Sequence, residues 1–213
     1  MKNKKRIRIS FNLSIMVLSF STIFLFLSNS ASAKVTNVDI ASSFSEAGTQ
    51  ADPYLIENLT DLLYLSYHTN GTTVGNYKYV QSNFTGKYFK LTTNINMNDL
   101  PTGTNFIPIK DFQGIFNGNY HIISNLNITA TADNIGLFGT ISGATIENLG
   151  LVGGTITATG KNNVGALVGL ISGTSTVTNC YAIGLTITGN DNVGGLIGHI
   201  NNITGNAVSY VYA

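Results

Sequence analysis

The chain has 213 residues, of which 10% are charged, and it contains 23 glycines, one cysteine and no tryptophan. Residues 1–33 hold five of the eleven Lys and Arg residues, so the rest of the chain has six lysines, no arginine and all ten acidic residues, a net charge of −4. Because Lys and Arg supply most of the affinity for phosphate, this balance argues against a nucleic-acid partner. The lone Cys180 excludes an internal disulfide.

The first 33 residues have the three regions of a secretory signal peptide. A basic segment precedes an apolar run over residues 15–27, and residues 31–33 are Ala-Ser-Ala, a small-x-small cleavage site. The run contains three hydroxyl side chains and is shorter than the roughly 20 apolar residues that a membrane span requires. We therefore expect cleavage after Ala33, a secreted or cell-surface location, and no membrane span in the mature chain.

Residues 34–111 are expected to form an N-terminal cap and the first coil or coils. Thr60 and Asp61 predict the start of a short helix. Its apolar face would be formed by Leu59, Leu62, Leu63 and Tyr67. Because the first coil of a solenoid has no neighbour on one side, a helix laid over it would hide the apolar end. Residues 69–87 are predicted to be a polar loop.

Residues 112–213 contain an internal repeat. The phrases NIGLFG, NVGALVG and NVGGLIG begin at Asn134, Asn163 and Asn192, which are 29 residues apart, and the triplet TIT occurs at residues 155–157 and 186–188. Each repeat holds three short segments rich in Val, Ile, Leu and Thr, separated by Gly and Asn. A helix is disfavoured because the 15 glycines between Asn134 and Ile200 would each cost close to 1 kcal/mol relative to alanine.

The repeat predicts an all-β fold, a parallel β-helix or β-solenoid with coils of about 29–31 residues and a small N-terminal helical cap. Each strand would pair with its copy one coil away, at about 4.8 Å. The crossover preference of parallel strands favours a right-handed coil.

The repeated glycines and asparagines are expected to have structural roles. Glycine would permit an unusual backbone conformation or a close approach, and asparagine would tolerate left-handed corners and stack in hydrogen-bonded ladders. The glycines are Gly136, Gly139, Gly165, Gly169, Gly194 and Gly198, and the asparagines are Asn134, Asn163, Asn192, Asn148 and Asn179.

The segment NVGALVGLISGTSTVTNCYAIG at residues 163–184, with NVGGLIG at 192–198, resembles the GLUG motif. This repeat is found in bacterial surface proteins, adhesin-like proteins and the non-catalytic parts of some secreted IgA-cleaving metallopeptidases. Upstream segments resemble those that precede such repeats, so the similarity covers about residues 48–213. It implies an architecture and carries no shared catalytic residues. The shorter phrase NIGLFG departs from the pattern and suggests an atypical first full coil.

The sequence gives little support for a catalytic or a metal site. The chain lacks the HExxH, GxSxG and CxxC motifs that would indicate a zinc peptidase, a serine hydrolase or a redox site. The three histidines have no second ligand at metal spacing. Asp133 and Asp191 would lie near 10 Å apart in stacked coils, at or beyond the upper end for a glycosidase pair. We therefore expect no enzyme activity, cofactor or metal.

The expected function is that of a structural stalk or adhesin-like module, with a host or matrix surface, a glycan or a protein as its partner. The chain stops at Ala213 in mid-coil, which is compatible with further repeats or an anchor in a longer parent protein. A third interpretation, after the ligand-binding one described next, is the non-catalytic region of a larger secreted peptidase.

The second interpretation is ligand binding by a flat threonine face. Outward side chains on stacked TIT segments would form a lattice of hydroxyls and methyls suited to ice or to a glycan, with Tyr181 and Tyr212 available to stack on sugar rings. The face consists of Thr129, Thr155, Thr157, Thr186 and Thr188. Threonine is also a favourable outward residue in any strand.

Overall fold

The computed structural model describes residues 44–75, 77–201 and 204–213. The predicted signal peptide lies outside these residues. Within them, no helix is long and apolar enough to cross a membrane.

Most described elements are short strands, and one α-helix lies near the N-terminal end. In chain order they are β1 (Tyr54–Ile56), α1 (Leu59–Asn70), β2 (Thr73–Val74), β3 (Tyr77–Lys78), β4 (Tyr88–Leu91), β5 (Ile95–Asn96), a 3-10 turn (Met97–Asp99), β6 (Ile115–Asn117), β7 (Ile122–Thr129), β8 (Phe138–Ile141), β9 (Thr145–Thr157), β10 (Val168–Ile171), β11 (Thr176–Thr188), β12 (Ile197–Ile200) and β13 (Ala207–Ser209).

The strands stack as the coils of a parallel β-solenoid of about four turns, which confirms the predicted fold. The first wall runs in the order β1, β4, β6, β9, β11, β13. Its inward column includes the register partners Phe116, Ile146 and Val177. All three side chains are buried. The handedness of the coil stays a prediction.

The second wall is formed by β5, β7 and the later parts of β9 and β11. Strand β9 serves both walls because its backbone turns at Asn148 and Gly153, where φ is 54° and 67°. Residues before the first turn pair with β6, and residues after it pair with β7. One long strand therefore supplies two sides of its coil.

The third wall contains β8, β10 and β12, which pair in parallel. Val164 forms parallel bridges to both Ile135 and Val193. The repeated phrase therefore lies directly over its own copies, and these partners are 29 positions apart.

The space between the walls is filled by one continuous apolar core. Four phenylalanines form a chain of ring contacts along the stack, with centroids 5.3 to 5.7 Å apart. They are Phe89, Phe112, Phe116 and Phe138, all fully buried. Since burial of apolar area is the main favourable term in folding, each coil is stabilised mainly by the coils on either side.

Helix α1 begins at Leu59, one residue before the predicted start, because Asn58 is its N-cap. The Asn58 side chain accepts hydrogen bonds from the backbone N–H groups of Thr60 and Asp61. Asp61 in turn accepts from the Asn58 N–H, which completes a capping box. The helix ends at Asn70, and its C-cap residue Gly71 has a left-handed backbone with a φ of 60°.

The helix caps a strand edge as well as the apolar core. Ser66 donates from its hydroxyl to the carbonyl of Ile107, and the Asn70 amide donates to the carbonyl of Pro108 at 2.9 Å. The Lys110 N–H donates to the Thr69 hydroxyl at 3.1 Å. Side chains of α1 thereby satisfy backbone groups beside the third wall that would otherwise form an open edge.

The predicted polar loop at residues 69–87 is partly wrong. It contains the antiparallel pair β2 and β3, and Tyr79 is only 1% exposed. The ring of Tyr79 packs against Tyr64, Tyr67 and His68. The sequence around Tyr79 is polar and gave no indication that its ring is buried, where it packs this segment against the helix.

We predict that Asn58→Ala lowers the free energy of unfolding by about 1 kcal/mol, because two N–H groups of the first helical turn lose their acceptor. Urea unfolding followed by circular dichroism measures the change. Thr60→Ala is the control, and its effect is expected to stay within about 0.5 kcal/mol. Equal effects of the two substitutions would show that the capping box does not stabilise the fold.

Candidate functional site

A ladder of asparagine amides runs along one corner of the solenoid. The Asn163 amide donates to the Asn134 side-chain carbonyl at 2.7 Å, and the Asn192 amide donates to that of Asn163 at 2.9 Å. All three residues have a left-handed backbone, with φ between 56° and 61°. Asparagine suits this position because it tolerates the conformation and carries both a donor and an acceptor.

A second ladder follows the corner between the first and second walls. Asn148 donates to Asn117 at 3.3 Å, and Asn179 donates to Asn148 at 2.7 Å. Asn148 and Asn179 have φ values of 54° and 53°. Asn117 was not among the predicted residues because it precedes the 29-residue repeat.

The six repeat glycines lie where a side chain would meet backbone atoms. A Cβ on Gly169 would lie 2.4 Å from the Ile135 nitrogen, and a Cβ on Gly198 would lie 2.4 Å from the Val164 nitrogen. The closing glycines of the second and third phrases therefore pack against the opening Asn-Ile or Asn-Val pair of the coil before them. The same restriction holds, through other backbone carbonyl oxygens, at Gly136, Gly139, Gly165 and Gly194.

The threonine face forms two straight columns. Thr155 pairs with Asn127 and Thr186, while Thr157 pairs with Thr129 and Thr188. All six side chains are exposed. Asn105 closes one end of the second column, since its amide group exchanges two hydrogen bonds with the Thr129 backbone, at 2.7 and 2.9 Å.

A groove lined by tyrosines lies beside the second asparagine ladder and has a volume of about 150 Å³. We call it the tyrosine groove, and its principal side chains are Tyr120, Tyr181, Tyr210, Tyr212, Asn148 and Asn179. Tyr181 and Tyr212 stack with ring centroids 5.3 Å apart and planes at 5°. Sequence reasoning named these two tyrosines and missed the other two. A signal existed for Tyr210, because it follows Asn179 by 31 residues and replaces the next asparagine of the ladder.

The remaining chemical candidates are dispersed. Among the described residues, no group of three or more His, Cys, Asp and Glu side chains could hold a metal ion. Asp133 accepts from the Asn162 N–H at 2.9 Å, and Asp191 accepts from the Asn190 amide at 3.1 Å. Cys180 is buried. Burial raises the pKa of its thiol to about 11, so the group stays neutral at physiological pH.

Part of the chain is similar in sequence to a much longer protein. No family model matches it, so membership of the GLUG group stays a prediction. Over 140 residues, 62% of the chain, the sequence is 36% identical to halomucin from Haloquadratum walsbyi. The chain spans 1% of the length of halomucin.

A solved structure shows a weak likeness. It is the crystal structure of a candidate immunoglobulin A1 protease from Bacteroides ovatus, with a TM-score of 0.43 and 19% sequence identity. The match covers 77% of this chain and 68% of that chain. A likeness at this level supports no conclusion about fold or function.

We predict that Asn163→Gly lowers the free energy of unfolding by about 1–2 kcal/mol, since two amide hydrogen bonds are lost while the left-handed backbone stays favourable. Asn163→Ala should cost roughly 1–2 kcal/mol more, because alanine disfavours that conformation. Thermal and urea unfolding of both variants measure the two effects separately.

The exposed Asn98 offers the matched control, because its side chain makes no hydrogen bond among the described residues. Asn98→Ala should change stability by no more than about 0.5 kcal/mol. If Asn163→Gly were as mild as this control, the ladder would make no net contribution to stability.

Proposed function

We propose that this chain is a non-enzymatic module of the cell surface, a rigid β-solenoid that acts as a structural stalk or adhesin-like spacer. The observation that carries the proposal is the uninterrupted pairing of successive coils on all three walls. Each described coil is tied to the next by backbone hydrogen bonds and by a shared core, so it cannot bend without breaking both. Rigidity of this kind suits a part that holds other groups at a fixed distance.

The similarity to halomucin supports a place at the cell surface. The predicted signal peptide is consistent with export. One carboxylate oxygen of Asp133 accepts from the Asn162 N–H, and one of Asp191 accepts from the neighbouring Asn190 amide, which is consistent with a structural role for both. An accessory role in a larger secreted peptidase stays a prediction.

Expression of the full chain with a C-terminal epitope tag in a bacterial host tests the proposal. We expect the mature protein to begin at Lys34 and to be accessible to antibody on intact cells or in the medium. Intact mass gives the processing site, and limited proteolysis should leave a resistant fragment that contains the coils. Ala31→Leu with Ala33→Leu is the control that blocks cleavage. Retention of an unprocessed chain in the cytosol, or rapid digestion of the coils, would contradict the proposal.

The register of the threonine face favours a second candidate, binding of ice. Two columns of exposed side chains repeat at the strand spacing of about 4.8 Å along the stack. A flat lattice of hydroxyls and methyls is a suitable surface for ordered water.

For this candidate we expect thermal hysteresis in the wild-type chain and its loss in Thr157→Tyr and Thr188→Tyr, because each bulky ring would interrupt a column. Thr174→Tyr is the control, since Thr174 is exposed and lies outside the two columns. Nanolitre osmometry measures the effect. Absence of hysteresis in the wild type would leave the threonines as ordinary outward strand residues.

A further inference from the structure

We propose that the tyrosine groove binds a neutral saccharide. This site is separate from the threonine face, and the proposal does not depend on the role of the chain as a spacer. It is based on three observations: a pair of stacked rings, two exposed tyrosines with an unfavourable backbone, and a side-chain carbonyl oxygen to which no described residue donates a hydrogen bond.

The stacked pair is held in place by the fold. Tyr181 and Tyr212 are partners in an isolated parallel bridge, and their ring planes are nearly parallel, with an angle of 5° between them. Tyr181 packs over Gly150 of the coil before it, where a Cβ would lie 2.4 Å from the ring carbon Cζ. Because the backbone fixes both rings, a ligand that stacks on Tyr212, which is 58% exposed, would lose little side-chain freedom on binding.

The other two tyrosines are exposed in conformations that disfavour a bulky residue. Tyr120 and Tyr210 have φ values of 64° and 53°, and their exposed fractions are 78% and 85%. Tyr210 follows the paired residues Thr178 and Ser209, so it takes the position that Asn179 takes one coil earlier. Asparagine would be favoured here, and the ring of Tyr210 gains little burial. A strained backbone that carries an exposed aromatic ring indicates a functional site.

The asparagine ladder has a fixed polarity that ends in the groove. Asn117 donates to the Glu147 carboxylate at 2.7 Å and accepts from the Asn119 N–H at 2.7 Å. An ionised carboxylate can only accept a hydrogen bond and a backbone N–H can only donate one, so the orientation of the Asn117 amide is determined. Asn148 must therefore present its amide nitrogen to Asn117, and Asn179 must present its own to Asn148. The side-chain carbonyl oxygen of Asn179 is left without a donor among the described residues.

These features define the chemistry of the ligand. Aromatic faces bind the apolar C–H face of a sugar ring, and the exposed Asn179 oxygen, which has no donor among the described residues, is able to accept a hydrogen bond from a sugar hydroxyl. A proline-rich peptide also docks on aromatic grooves, but proline has no N–H to donate. No side chain that lines the groove is charged at neutral pH, which disfavours a sulfated or phosphorylated ligand. A neutral saccharide fits all of these conditions.

Isothermal titration calorimetry of the full chain tests the proposal with four neutral probes: cellohexaose, xylohexaose, mannohexaose and chitohexaose. We expect at least one to bind, and we expect Tyr210→Asn to weaken its binding at least about tenfold, the loss typical of a central aromatic contact. Asparagine suits the backbone at this position, so the thermal midpoint of the variant should equal or exceed that of the wild type. If Tyr210→Asn lost binding but kept this thermal midpoint, unfolding of the variant could not explain the loss.

Tyr77→Asn is the matched control, because Tyr77 is 51% exposed and lies outside the groove. It should keep the wild-type affinity. A sulfated oligosaccharide and a proline-rich decapeptide form two further arms of the titration. Binding of either one in place of the neutral sugars would overturn the proposal. It would also be overturned if no neutral probe bound, or if Tyr210→Asn bound as tightly as the wild type. None of these results bears on export or on the rigidity of the coils.

Discussion

The structure depends on parallel hydrogen bonding between each strand and its copy one coil away. This pairing is possible only if successive coils keep the same path, so differences in length are confined to the corners. In the NVG phrases the constraint is met by glycines that let one coil lie against the backbone of the next. At the turns it is met by asparagines and glycines with positive φ. The core, the walls and the ladders all follow from this one repeated contact.

Much of the fold could be predicted from the sequence because the repeat carries its own register. The spacing of Asn134, Asn163 and Asn192 indicated stacked coils, and the glycine content excluded a helical repeat. The segment at residues 69–87 was harder to predict, because the burial of Tyr79 depends on rings from α1 that are distant in sequence. The hydrogen bonds between the side chains of Ser66, Thr69 and Asn70 and the backbone beside the third wall are likewise tertiary contacts, which local sequence patterns do not encode.

The candidate sites, too, could be predicted only in part from the sequence. The residues of the threonine face were identified because a TIT triplet alternates visibly and its copies share a register. The tyrosine groove was only half identified, since Tyr120 belongs to a coil that precedes the regular repeat. Tyr210 could have been found as a break in an asparagine column, but that column becomes visible only when Asn148 and Asn179 are placed on one corner. Aromatic residues that replace a repeated corner residue are therefore informative in proteins of this kind.

The asparagine ladders make the two directions along the stack of coils chemically different. In all four described stacks of side-chain amides, the nitrogen of the later coil donates to the oxygen of the earlier one. A coil turned upside down would place carbonyl against carbonyl, so the layers are not interchangeable end for end. Within the described coils, each ladder thus presents amide nitrogens toward the earlier coil and carbonyl oxygens toward the later one, so a layer that follows must offer a hydrogen-bond donor at these corners.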